Sequence, residues 1–138
     1  MLSRREAREA VVGLAFELGF HGSDTDPQEI LENAKCERNI PDDPYIEERF
    51  MGICNNLTQI DSEIEKHSSG WRVDRISRVS LAILRLAVYE MVYASPKLPR
   101  SIAINEAVEI CKTYAEEGAA PFVNGILNTL AKANGCEA

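Results

Sequence analysis

Apolar positions recur along the first segment at the three- and four-residue steps typical of packed helices. The steps run four, three, one and three through Ala7, Val11, Leu14, Ala15 and Leu18. Ser3 and Glu6 have the spacing of a capping box, in which each residue's side chain bonds the other's backbone amide. A helix is therefore predicted to begin after Ser3, and Gly19 to Ser23 would end it.

Two further helices are predicted before the middle of the chain. Asp26-Pro27 supplies an N-cap and a preorganised first turn, and this second helix should stop near Asn39. After Pro44, apolar residues repeat at steps of four, three, four, three and four; they are Ile46, Phe50, Ile53, Leu57, Ile60 and Ile64. This stripe predicts one helix of almost twenty residues.

The second half of the chain opens with a break at His67 to Gly70 and a short turn around Trp71 to Ile76. The next helix is apolar on most sides, which predicts a central position. Pro96 and Pro99 close it, and Ser101 is predicted to cap the helix that follows. The buried stripe of that helix would be Ile104, Ala107, Val108, Cys111 and Tyr114. A last helix carries Phe122, Val123, Ile126, Leu127 and Leu130.

No alternating segment competes with these helices, so the pattern predicts an all-α fold of two small antiparallel bundles packed together. A length of 138 residues indicates one domain. The four cysteines lack CxxC spacing and the first residues lack an apolar signal core, which favours a reducing, cytoplasmic setting. No uncharged apolar run approaches the roughly 20 residues that span a bilayer, so we expect a soluble protein without membrane contact.

The net charge of −7 is unevenly distributed along the chain. Residues 21–66 hold 12 acids against 4 bases, residues 1–20 are neutral, and residues 67–138 hold 8 bases against 7 acids. Because the acidity belongs to the middle third, a nucleic-acid-binding surface built from both ends of the chain is not excluded.

Residues suited to catalysis are sparse. His21 and His67 lie in apparent loops and are expected to be solvated, and no metal spacing, phosphate loop or nucleophile motif occurs. The pairs Glu63/Glu65 and Glu116/Glu117 are interpreted as a solvated face and a helix end. We therefore expect no enzymatic activity, no cofactor and no metal.

Arginines offer a different chemistry, the recognition of phosphates and bases. Arg4, Arg5 and Arg8 fall within about one helical turn, and the four-residue step places Arg4 and Arg8 on one face. A planar guanidinium can bind a phosphate through two hydrogen bonds. Pairing within the helix, to Glu6 and Glu9, is the competing interpretation and is favoured when the residues are considered alone.

Two residues farther along the chain are similarly ambiguous. Arg85 interrupts an apolar helix, so it needs either a route to the surface or a carboxylate partner, with Glu90 or Glu106 as candidates. Phe122 follows Pro121 at the start of the last helix, and its spacing favours a core position over a stacking surface.

Four motifs occur in order along the chain: RREAREA at residues 4–10, LRLAVYE at 84–90, INEAVEICKTY at 104–114 and FVNGIL at 122–127. Together they resemble the NusB family of transcription antitermination factors. The resemblance implies a single domain over residues 1–138, with about seven helices in two packed bundles, near residues 3–66 and 67–133. It also implies a factor that binds single-stranded boxA RNA of nascent ribosomal transcripts together with NusE, in an antitermination complex with RNA polymerase. Self-association stays open.

The resemblance also implies roles for individual residues. Arg4, Arg5 and Arg8 would neutralise phosphates, while Arg85 and Asp74 would contact bases. An aromatic surface would come from two residues, Phe16 and Phe122. The chain departs from the family pattern at Glu6, Gly13 and Gly118, which puts affinity and sequence preference in question.

Two alternatives to this function remain. A helical protein-interaction module that has lost RNA binding is favoured by the net acidity and by Glu6 and Gly118. A NusB-like domain related to that of ribosomal RNA cytosine methyltransferases is disfavoured, because no methyltransferase segment is present in the chain.

Overall fold

The computed structural model describes residues 2–19 and 25–136, and within them the chain is helical, without a strand. The seven α-helices are α1 (Arg4–Leu18), α2 (Pro27–Arg38), α3 (Pro44–Asn55), α4 (Leu57–Lys66), α5 (Arg78–Val88), α6 (Arg100–Tyr114) and α7 (Ala119–Ala133). A 3₁₀ turn at Val73–Arg75 precedes α5, and a π-helical segment at Tyr89–Tyr93 continues it. The predicted all-α class with about seven helices is confirmed.

Local signals account for most helix boundaries. The capping box at Ser3 and Glu6 is formed, with hydrogen bonds of 3.1 Å and 2.9 Å. The Asp26 side chain caps α2, and Asn39 ends that helix in a left-handed conformation. The predicted turn after Gly19 is only partly described, since residues 20–24, including His21, lie outside the described ranges.

The single long helix predicted after Pro44 is wrong. Asn56, with φ −117° and ψ 17°, separates α3 from α4, and its side-chain amide donates to the carbonyl of Gly52 at 2.8 Å. Such side chain to backbone bonds compete with the regular helix. The apolar stripe continues across the break and remains packed against the core, so the periodicity alone could not show it.

Two predictions about α6 are also wrong. Ser101 does not cap it, because the carbonyl of Pro99 already accepts from the amides of Ile102 and Ala103, which starts the helix at Arg100. Tyr114 is not buried but 55% exposed, at the last residue of the helix.

Helix α5 occupies the centre of the molecule, as predicted. It packs against α1, α3, α4, α6 and α7, and every one of its residues from Ser80 to Val88 is buried. The close approach of α3 requires a glycine, because a Cβ at Gly52 would overlap the Tyr89 ring. Among the described helices, none is long and apolar enough to cross a membrane.

A buried ionic network joins α1 and α3 to the π-helical segment. The Glu90 carboxylate accepts from Arg8 Nε at 2.9 Å, from the Tyr45 hydroxyl at 2.9 Å and from Arg49 Nε at 3.2 Å. Burial alone would lower the pKa of Arg8, but the hydrogen bond and charge of Glu90 outweigh it and raise that pKa. The Glu90 carboxylate therefore balances the charges of two arginines while it fixes the position of α1.

A second contact ties α1 to α6 near the protein surface. Arg5 donates through Nε and Nη2 to both carboxylate oxygens of Glu106, at 2.5 Å and 2.7 Å. This hydrogen bond, together with the nearby charges of Arg5 and Arg8, lowers the pKa of Glu106 below its usual value of 4.5. The ionised form of Glu106 is thus favoured in the folded protein.

We predict that Glu90→Gln lowers the free energy of unfolding by about 3–5 kcal/mol, because two largely buried arginines lose their counter-charge. Urea denaturation at neutral pH measures the change. Glu109→Gln is a matched control: Glu109 makes an exposed pair with Lys112, so its loss should cost no more than about 1 kcal/mol. A Glu90→Gln protein as stable as the control would contradict a stabilising network.

We further predict that the contribution of Glu106 to stability disappears in acid. Its folded-state pKa is lowered, so the contribution is fully present above the unfolded-state pKa of 4.5 and is lost as pH falls through the folded-state pKa. Unfolding free energies of the wild type and Glu106→Gln should converge between about pH 6 and about pH 3. A difference that stays constant over this range would show that the ionised carboxylate is not responsible.

Candidate nucleic-acid interface

The three arginines of α1 occupy three different environments. Arg4 is exposed, and its guanidinium carbon lies 4.0 Å from the centroid of the Tyr45 ring. Arg8 lies over the same ring at 5.9 Å, so Arg4 and Arg8 share one helix face as predicted. A cation–π contact does not use the N–H donors, which leaves those of Arg4 available to a phosphate.

The other two arginines have carboxylate partners across the fold, and not within the helix. Arg5 bonds Glu106 while its side chain remains 43% exposed. Arg8 is only 8% exposed and is paired with Glu90 and, at 3.6 Å, with Glu106. Contact of Arg8 with a phosphate stays a prediction, and it would require these ion pairs to open.

Arg85 and Asp74 lie in different settings. Arg85 is buried in α5 and donates to both oxygens of Asp61, at 2.9 Å and 2.8 Å. The prediction that Arg85 pairs with Glu90 or Glu106 is therefore wrong. Asp74 projects from the 3₁₀ turn, is exposed, and has Arg72 as an ion-pair partner at 3.6 Å. Base contacts by Arg85 and Asp74 stay predictions.

The sequence motifs did not indicate Trp71 as a candidate for nucleic-acid contact. Trp71 is 51% exposed, and its ring meets Phe122 edge-on, with centroids 6.1 Å apart and planes at 74°. Phe122 is half-buried: it packs against the hydrophobic core on one side and contacts the exposed Trp71 on another. The signal in the sequence was the position of Trp71, the sole tryptophan, among the arginines of an irregular turn.

Phe16 borders a neighbouring cavity of about 260 Å³ between α1, α2, α5 and α6. Its half-buried ring shares the lining with Val79 and Tyr114. Val79 and Tyr114 lie one and two positions before Ser80 and Glu116, which border the cavity beside Phe122. We group the exposed arginines Arg4 and Arg5 with the two cavities, which Phe16, Tyr114, Phe122 and Trp71 border, and call this set the arginine–aromatic face.

The departure from the family pattern at Gly118 has a conformational setting. Gly118 precedes α7 with φ +91°, a backbone conformation that favours glycine. An acidic side chain there would be strained unless the turn changed.

Of the two histidines, only His67 lies within the described ranges. His67 caps α4 and is largely covered, contrary to the expectation of a solvated loop, with Nε2 at 3.9 Å from Glu63. All four cysteines are free thiols. Within the described ranges, no group of three or more His, Cys, Asp and Glu side chains could hold a metal ion.

Comparisons with known proteins agree along almost the full chain. The model of the NusB family matches residues 5–132. The curated transcription antitermination protein NusB of Natranaerobius thermophilus is 41% identical, with 94% of this chain and 95% of that protein covered. The protein of the same name from Sulfurovum sp. strain NBC37-1 is 43% identical, with 96% and 100% covered.

A solved structure supports the same relationship. The crystal structure of antitermination factors NusB and NusE in complex with dsRNA superposes with a TM-score of 0.81 at 28% identity. The match covers 94% of this chain and 96% of the matched chain. Family model, sequence relatives and fold agree, and the chain belongs to the NusB family.

Proposed function

We propose that this protein is a transcription antitermination factor that binds single-stranded boxA RNA of nascent ribosomal transcripts together with NusE. Near-complete similarity to curated proteins of that name is the observation that carries the proposal. The neighbouring structure that contains NusE and RNA supports the choice of partners. Assembly with RNA polymerase extends the same proposal.

The arginine–aromatic face suits a single strand of RNA. Arg4 and Arg5 would neutralise phosphates, which position the strand, and the rings of Phe16 and Phe122 would stack on bases. Arg8 would act mainly through Glu90 by holding the first turn of α1 in place. Arg85 and Asp74 would add base contacts that distinguish sequences.

The acidic segment has a separate use in this proposal. Residues 21–66 carry most of the acidic excess, and α2 and α3 lie within this segment. Electrostatic complementarity with a basic protein partner would speed encounter and discriminate among partners, without placing acids along the RNA.

A helical interaction module without RNA binding is the second candidate. The observation that favours it is the pairing of Arg5, Arg8 and Arg85 with carboxylates, which reduces the charge available to RNA.

Binding of a short boxA-like RNA and a scrambled control separates the two candidates. Both RNAs are titrated with and without NusE at two salt concentrations. We expect the boxA-like RNA to bind more tightly than the scrambled control. NusE should strengthen this binding and salt should weaken it, since phosphate neutralisation weakens with salt. Binding to NusE without any RNA binding would favour the interaction module.

We predict that Arg4→Ala weakens RNA binding and reduces the slope of log affinity against log salt by about one unit, because one phosphate contact is lost. The matched control is Lys35→Ala, which removes a positive charge beside Asp42 and Glu47 on the acidic segment. Its slope should match the wild type. Equal slopes for all three proteins would exclude Arg4 as a phosphate contact.

We also predict that Arg85 contributes to the preference for boxA over scrambled RNA. Asp61→Ala is compared with the double variant Asp61→Ala/Arg85→Ala, so that neither measurement includes the Arg85–Asp61 pair. In the double variant, the ratio of the affinity for boxA RNA to that for scrambled RNA should fall about tenfold, the size expected for one good base contact. Thermal unfolding checks that both proteins are folded. An unchanged preference would leave Arg85 with a structural role only.

A further inference from the structure

A cavity of about 340 Å³ opens beside the aromatic pair on the arginine–aromatic face. Trp71 and Phe122 border one part of it, and the side chains of Ser80, Glu116 and Glu117 border another. Its volume is within the range of about 300–1,000 Å³ typical of small-ligand sites. The cavity therefore combines an apolar surface with carboxylates in one place.

The rings favour a flat, aromatic occupant. Trp71 is half exposed and stands at 74° to Phe122, so the two ring planes form a corner. A nucleobase can stack on one ring while the other closes the end of the stack, and such stacking tolerates any base. The rings alone would give affinity without selecting among bases.

Glu116 is held at this cavity by two serines. Its Oε1 accepts from the hydroxyls of Ser77 at 3.2 Å and Ser80 at 3.1 Å. Ser80 is buried, and Ser77 also caps α5, so both donors belong to the start of that helix. The interpretation of Glu116 as part of a solvated helix end was therefore incomplete.

The free part of this carboxylate determines what it can bind. In the described part of the chain, no hydrogen bond reaches Oε2 of Glu116. An ionised carboxylate only accepts hydrogen bonds, and together with Glu117 it repels phosphate. The cavity consequently suits the donor edge of a base and not the RNA backbone.

We propose that Glu116, held by Ser77 and Ser80 beside Trp71, is a specificity-determining residue that selects a guanine in single-stranded RNA. Guanine presents the adjacent N1–H and 2-amino donors on its Watson–Crick edge, whereas the other bases present fewer donors there. This inference rests on the proposed RNA-binding function and adds to it a base preference and the residues Glu116 and Trp71.

The test uses a boxA-like RNA that contains guanosine, and versions in which each guanosine in turn is replaced by inosine, which lacks the 2-amino group. Affinity and the fluorescence of Trp71 are measured together, since Trp71 is the sole tryptophan. At one position, inosine should weaken binding to the wild type about tenfold, as expected for a hydrogen bond to a charged group. Binding of the unmodified RNA should change the Trp71 fluorescence.

Two variants distinguish selection of guanine by Glu116 from electrostatic repulsion of the RNA. Glu116→Gln should reduce the effect of inosine to about twofold or less, because the charged acceptor is lost. Glu117→Gln removes the same charge from the adjacent residue and should keep the full effect. Thermal unfolding confirms that both variants fold.

Two results would overturn the inference while leaving RNA binding intact. One is RNA binding in which no inosine position matters, whether or not the Trp71 fluorescence changes. The other is an equal gain in affinity for every RNA in both variants, which would show long-range repulsion only. Absence of all RNA binding, by contrast, would refute the proposed function itself.

Discussion

The buried carboxylate of Glu90 is the constraint on which the arrangement of α1, α3 and α5 depends. It accepts hydrogen bonds from Arg8, Tyr45 and Arg49, and each of these partners has another contact in the same cluster. A buried charge is costly unless it is paired and hydrogen-bonded, so these side chains must keep their relative positions. Movement of α1 away from α5 would break the hydrogen bond between Arg8 and Glu90.

This network links the packing of the core to the exposed end of α1. Tyr45 uses its hydroxyl for Glu90 and its ring for Arg4, so the aromatic side chain connects a buried carboxylate to an exposed cation. Arg5, on another side of the helix, is tied to α6 by Glu106. The guanidiniums at the start of α1 are thus held in place before any ligand arrives, which reduces the entropy cost of binding.

In the proposed RNA complex, the arginine–aromatic face would separate two kinds of interaction with the strand. Cations lie at the start of α1, whereas rings and a held carboxylate lie where the ends of α5 and α6 meet α7. Cations attract any phosphate, while stacking and an acceptor such as Glu116 act on bases. Affinity and selectivity would therefore depend on different helices.

By itself the sequence determined the helical class, most helix boundaries and the residue types of the candidate interface. Capping and apolar periodicity are local properties, which is why the start of α1 and the central α5 were predicted correctly. The break at Asn56 was missed because the apolar stripe continues across it. Only the tertiary structure decided that Arg85 pairs with Asp61 and that Trp71 meets Phe122. These partners are far apart in sequence, so their contacts depend on how the helices cross, which no local pattern records.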